Sequence, residues 1–117
     1  MLAKIIIGLV AFIHLYILWL EMFVWTTRGR KVFKTIPPEM FEKTKVMAAN
    51  QGLYNGFLAA GLIWSLCISD HHWSFYTALF FLTCVFVAGV YGAVTVSKRI
   101  LYVQSIPALI GIICLHL

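Results

Sequence analysis

Apolar residues run in four long blocks along the chain, roughly Ala3 to Trp25, Val46 to Ile68, Phe75 to Val96 and Ile100 to Leu117. Each is close to the roughly twenty residues that a helix needs to cross the hydrocarbon core of a bilayer. Backbone polar groups find no water there, so each block predicts a helix. The expected fold is all-α: a four-transmembrane-helix bundle running up-down-up-down, with residues 1–117 as a single integral membrane domain. The first block resembles a signal peptide in carrying Lys4 before an apolar stretch, but no small-x-small site follows and Glu21 interrupts its end. It is therefore expected to stay as a span.

The polar links differ in charge. Residues 26–45 carry Arg28, Arg30, Lys31, Lys34, Lys43 and Lys45, and the third link adds Lys98 and Arg99. In an up-down arrangement these links share one side, which then holds eight of the nine basic residues. Basic links stay in the cytoplasm, so both termini are expected outside, in a multi-pass protein of the cell membrane. Pro37 and Pro38 can open a helix but not continue one, and Glu39 suits a first turn. Helix two is accordingly expected to start near Pro38 and run on from the interface into the membrane.

Composition supports this pattern. The chain is 62% hydrophobic and 11% charged, too little polar surface for a soluble domain of 117 residues. Its net charge of +5 could point to nucleic acid, but the basic residues fall between the apolar runs, so no nucleic-acid partner is expected. Cys67, Cys84 and Cys114 lie in or at the ends of those runs with no metal-ligand spacing. They read as small apolar residues, with a disulfide between Cys67 and Cys114 as the minor alternative. Asp70-His71-His72 offers too few ligands for a closed metal site and reads as a solvated turn. No phosphate-binding loop, dinucleotide fingerprint or nucleophile elbow is present, so no metal or cofactor is expected.

The candidate chemistry lies in polar residues inside the spans. His14 and Glu21 are seven residues apart and so share a face of the first helix, a stripe that Trp25 continues. On the second helix, a 100° wheel puts Val46, Leu53, Phe57 and Trp64 on a lipid face, and Ala48, Gly52, Gly56, Ala59 and Ala60 on a close-packing face. Asn50, Gln51, Tyr54 and Asn55 fill the remaining arc, expected to face inward. The third and fourth runs add Tyr91 and Gln104, and Pro107 should kink the last helix or free a carbonyl upstream of it. Counting about 1.5 Å per residue, Glu21, Asn50, Gln51, Tyr91 and Gln104 fall roughly 5–8 Å from the inner surface, with His14 and Asn55 near mid-membrane. Two readings stand side by side: interhelical hydrogen bonds that hold register, or a binding site around Glu21, since ionisable groups within spans default to function.

His14-Leu15-Tyr16, Glu21-Met22-Phe23, the run from Ala49 to Gly61, Ala88-Gly89-x-Tyr91-Gly92 and Gln104-x-x-Pro107-Ala108 together resemble a family of small bacterial membrane proteins. It is catalogued as domain of unknown function 1304. The resemblance covers nearly the whole chain and implies a four-helix integral membrane protein, with no activity attached.

Three functions compete. One is a small-molecule transporter acting as a homodimer, with Glu21 alternately binding proton and substrate, by analogy with the layout of small multidrug exporters. A second is a membrane-embedded enzyme or lipid- or quinone-binding protein in which His14 and Glu21 act as acid and base. The third is a structural partner subunit that docks through its small-residue faces.

Overall fold

Helices make up every regular element across residues 1–117 of the computed structural model. They are α1 (Leu2–Met22), α2 (Arg28–Val32), α3 (Met40–Lys43), α4 (Lys45–Cys67), α5 (His71–Thr95), a π-helical turn (Leu101–Ser105) and α6 (Ile106–Leu115). The long elements close a ring: α1 packs along α4, α4 on α5, α5 on the π turn and α6, and α6 back on α1. Successive neighbours run antiparallel. Leu18 meets Gly56 while Glu21 meets Gly52. Ser74 Oγ donates to the Ser65 carbonyl at 2.8 Å, and the Phe75 and His116 rings lie 5.4 Å apart.

Two cores result. Ile7, Val10, Ala11, Leu62, Ala78, Leu82, Val85 and Ala108 meet along the axis. At the far end Trp25, Phe41 and Ala48 pack with Phe33 and Ile36. There the Trp25 indole N–H donates to Thr44 Oγ1 at 3.1 Å, and the Phe41 ring sits 5.0 Å from that of Trp25. This cap folds the link between α1 and α4 under the end of α1.

α1 and α5 are long and apolar enough to cross a membrane. α4 is as long, but Asn50, Gln51 and Asn55 dilute its apolar character, and the stretch Leu101–Leu115 has only fifteen residues. Large apolar side chains stand on the outside of the ring, among them Phe12 (68% exposed), Phe80 (63%) and Val94 (82%).

Several boundaries differ from expectation, each for a local reason. α1 stops at Met22, so Trp25 leaves its stripe and turns into the cap. α5 begins at His71, because the Asp70 side chain accepts the Trp73 N–H at 3.0 Å and caps the helix; Asp70-His71-His72 is a helix start, not a turn. Helix two is interrupted at Thr44 (φ −104°, ψ 7°), which separates α3 from α4, although the Ala48 N–H still reaches the Thr44 carbonyl. Thr44 Oγ1 also donates back to the Met40 carbonyl at 2.8 Å, the kind of bond that bends a helix. α2 was not foreseen. Ala60 is exposed rather than packed. All three cysteines are free thiols, so no bridge joins Cys67 to Cys114.

Pro107 is accommodated by the wide turn before it. Proline has no N–H for the ladder, and the Ile106 N–H bonds the Leu101 carbonyl, five residues back. Ser105 Oγ donates to the Phe86 carbonyl at 2.9 Å and ties this turn to α5. Gly89 makes that approach feasible: a methyl there would lie 2.8 Å from the Ser105 backbone nitrogen and 3.1 Å from Gln104 Cβ. Gly89→Ala should therefore lower the stability of the purified protein by about 1–3 kcal/mol in thermal unfolding. Gly8→Ala, with nothing within 4 Å of the added methyl, should leave it unchanged or slightly raised.

Candidate functional site

Glu21 lies in the last turn of α1 and is only 4% exposed. Its place follows from the α1 stripe of Ile7, Val10, His14, Ile17 and Glu21, spaced by three or four residues and buried throughout. Opposite stands Gly52. A methyl there would come to 3.0 Å from Glu21 Cβ and 3.2 Å from the Leu18 carbonyl, so only glycine lets the helices close over the carboxyl. Asn55, one turn further along α4, donates from Nδ2 to Glu21 Oε1 at 2.7 Å. The second Nδ2 proton goes to the Gln51 carbonyl at 3.2 Å, which fixes the amide with its nitrogen toward Glu21. No second side chain donates to the carboxyl. Burying a charge costs several kcal/mol unless it is compensated, so the carboxyl either holds a proton or draws on this single donor.

His14 lies two turns away on the same stripe and is fully buried. Its Nδ1 bonds the Val10 carbonyl at 2.9 Å. A carbonyl only accepts, so Nδ1 carries the proton and Nε2 presents a lone pair to the interior. Nε2 is the buried side-chain polar atom left without a partner.

The other candidates separate. Asn50, Gln51 and Tyr54 stand exposed on the outer side of α4, where with Val46 and Met47 they line a shallow groove. The arc expected to face inward therefore contributes Asn55 alone. Tyr91 is 71% exposed on α5. Gln104 is half-buried in the π turn beside Gly89. Val46, Leu53, Phe57 and Trp64, which the wheel groups on one side of α4, are all exposed.

The Glu21 carboxyl pairs with Asn55 rather than with Asn50 or Gln51. α4 overshoots the end of α1, and Ala48 packs against Trp25 and Phe41 beneath. Glu21 Cβ stands opposite Gly52, one residue from Gln51, and its carboxyl reaches on along α4 to Asn55. Residues that the sequence reading missed are those of the cap (Trp25 with Thr44) and Ser105. Serine two residues before a helical proline is a legible signal, because it can tie down the distorted turn; the partner of Trp25 is not legible from spacing.

Chemically, the site is a carboxyl met by an amide between α1 and α4, with a buried imidazole two turns away on the same stripe of α1. It holds no cluster of three metal-ligating side chains. It can hold or pass a proton, or accept hydrogen bonds from a polar guest.

The fold and site define a small all-helical protein with two membrane-length apolar helices and a carboxyl enclosed between helices. The chain belongs to the family described as Protein of unknown function (DUF1304), whose model matches residues 8–116. It is similar to the uncharacterized protein YpaA of Lactococcus lactis subsp. lactis (strain IL1403), 29% identical over 107 residues, covering 90% of this chain and 88% of that one. No solved structure matches it.

If Asn55 is the donor that compensates Glu21, Asn55→Leu should cost about 1–3 kcal/mol in unfolding, since it leaves the carboxyl buried without a partner. A double-mutant cycle with Glu21→Leu, which removes the acceptor, should return a coupling of about 1 kcal/mol; additivity would show that the two side chains do not act as a pair.

Proposed function

We propose that the chain is a four-span protein of the plasma membrane, up-down-up-down with both termini outside, that works as a dimeric small-molecule transporter. Supporting the membrane reading are the apolar side chains on the outside of the ring and the gathering of eight of the nine basic residues at the cap end. α4 would cross with its amides toward the inner surface. Leu101–Leu115 covers about 20 Å, most of the hydrocarbon thickness, and mismatch of this size is met by tilt or local thinning.

The observation that carries the transport reading is Glu21: a carboxyl buried between two helices, met by one amide and no cation. Its seam with α4 is closely packed, with Leu18 and Met22 set against Gly52 and Gly56, but a single side-chain hydrogen bond joins the two helices across it. Parting α1 from α4 would break one hydrogen bond and free the carboxyl for a proton or a cationic substrate. In this arrangement the seam is closed, so transport proceeds through an opened form. Purified protein in proteoliposomes, screened with fluorescent cations under an imposed pH gradient, should show flux that Glu21→Gln abolishes. Flux that survives Glu21→Gln removes the carboxyl from the mechanism.

Orientation has its own test. In a cysteine-free background, Ser69→Cys should react with an impermeant maleimide added to intact cells, whereas Lys34→Cys should react only after permeabilisation.

His14 favours a second reading. A buried Nε2 lone pair with no donor is a ready acceptor for a hydroxyl, as on a lipid or quinol head group. On that reading the protein binds such a molecule, and mass spectrometry of an organic extract of the purified protein should find it in stoichiometric amount, lost in His14→Phe.

A further inference from the structure

Arg28 opens α2, yet its side chain turns back along α1. Its Nε–H donates to Tyr16 Oη at 2.9 Å, and the guanidinium carbon lies 5.9 Å from the centre of the Tyr16 ring. Trp19, one turn along α1, has its ring centre 5.8 Å from that of Tyr16. Tyr16 and Trp19 are on the outer side of α1, 37% and 42% exposed. The guanidinium is thus fixed by a hydrogen bond and by the ring face, with one of its five N–H donors in use.

The arginines at this end bond neutral groups. Arg28 donates to a phenol, Arg30 to the Thr26 carbonyl and Arg99 to the Val32 carbonyl. The last contact, at 3.5 Å, brings Lys98 and Arg99 to the same end as Arg28, Arg30 and Lys31. Their charge is complementary to an anion. A planar guanidinium with both Nη groups free matches a phosphate edge with two parallel hydrogen bonds. Tyr16 Oη, which accepts from Arg28, still has its own proton to donate, and so does the Trp19 indole.

We propose that Arg28, Tyr16 and Trp19 form a headgroup site for an anionic phospholipid of the inner leaflet, its phosphate held at Arg28, to which Tyr16 Oη reaches from deeper on α1. The guanidinium takes the phosphodiester, Tyr16 Oη and the Trp19 indole donate to its remaining oxygens, and the acyl chains lie along α1 over exposed Phe12 and Leu15. That apolar wall directly beyond the cation selects a lipid over free phosphate. The site rests on the membrane reading given above, and not on transport.

The test uses the full chain in a neutral detergent, with native mass spectrometry and thermal-shift titration against dioleoyl phosphatidylglycerol, dioleoyl phosphatidylcholine and inorganic phosphate. Wild type should retain and be stabilised by phosphatidylglycerol in preference to phosphatidylcholine, with no response to inorganic phosphate. Arg28→Gln should weaken phosphatidylglycerol binding about tenfold, and Tyr16→Phe should weaken it less. Arg28→Lys, which keeps the charge but loses the fork and the bond to Tyr16, should fall between wild type and Arg28→Gln. Equal binding by wild type, Arg28→Gln and Arg28→Lys would overturn the site, as would inorganic phosphate competing the lipid off. If Arg28→Gln does not give a helical circular dichroism spectrum, Tyr16→Phe and Trp19→Phe decide: unchanged lipid binding in both overturns it. Failure of the membrane reading would look different, because the chain would then come into the aqueous fraction without detergent.

Discussion

One hydrogen bond, from the Asn55 amide to the Glu21 carboxyl, joins the two helices on which the rest of the ring is assembled. A carboxyl in the α1–α4 contact constrains everything near it. Its neighbour must carry an amide within reach and must be bare where the backbones cross. Asn55 and Gly52 meet these two demands. An apolar pair could have filled the same space with no such requirement, so the carboxyl is an expense of the fold that its packing does not explain. Glu21, rather than the shallow groove beside Asn50, is therefore the group that points to function.

Much of this was legible in the residues. The all-helical fold followed from the spacing of apolar blocks, and the outward face of Val46, Leu53, Phe57 and Trp64 followed from the wheel. The burial of Glu21 and His14 on a common stripe followed from their seven-residue separation. The wheel could not say which edge of the polar arc turns inward, because an arc of four residues spans more of the helix than one partner can cover. Asn55 borders the glycine face and is drawn into the seam, while Asn50, Gln51 and Tyr54 lie beyond its rim. The end of α1 was harder still. Trp25 closes the first apolar run in the sequence, but it lies beyond α1 and packs in the cap with Phe41. They close a cap, and an aromatic that packs under a helix end looks in sequence like one more residue of the helix.

The two ends of the molecule are built on different rules. Along the axis, small and branched aliphatic side chains interlock: Ala11, Ala78 and Ala108 against Leu62, Leu82 and Val85. At the cap, aromatic rings tilt against each other, an indole N–H is satisfied by a threonine, and Arg30 lies 5.6 Å over the Phe41 ring. The first mode suits an interior where nothing polar needs a partner. The second suits a boundary, where amphipathic side chains present an apolar body to one side and a polar tip to the other.

Thr44 stands between these regimes. Its hydroxyl holds the Trp25 indole and bonds back to the Met40 carbonyl, and its own carbonyl receives the first ladder bond of α4 from Ala48. α4 and the cap are therefore coupled through one residue, and α4 also carries the amide that grips Glu21. The arrangement is that of a lever pinned near one end. The charged segment at the surface is the short arm, and the carboxyl is gripped partway along the long one. A displacement of α4 that carries Thr44 with it would strain the bonds to Trp25 and Met40 that hold the charged segment in place.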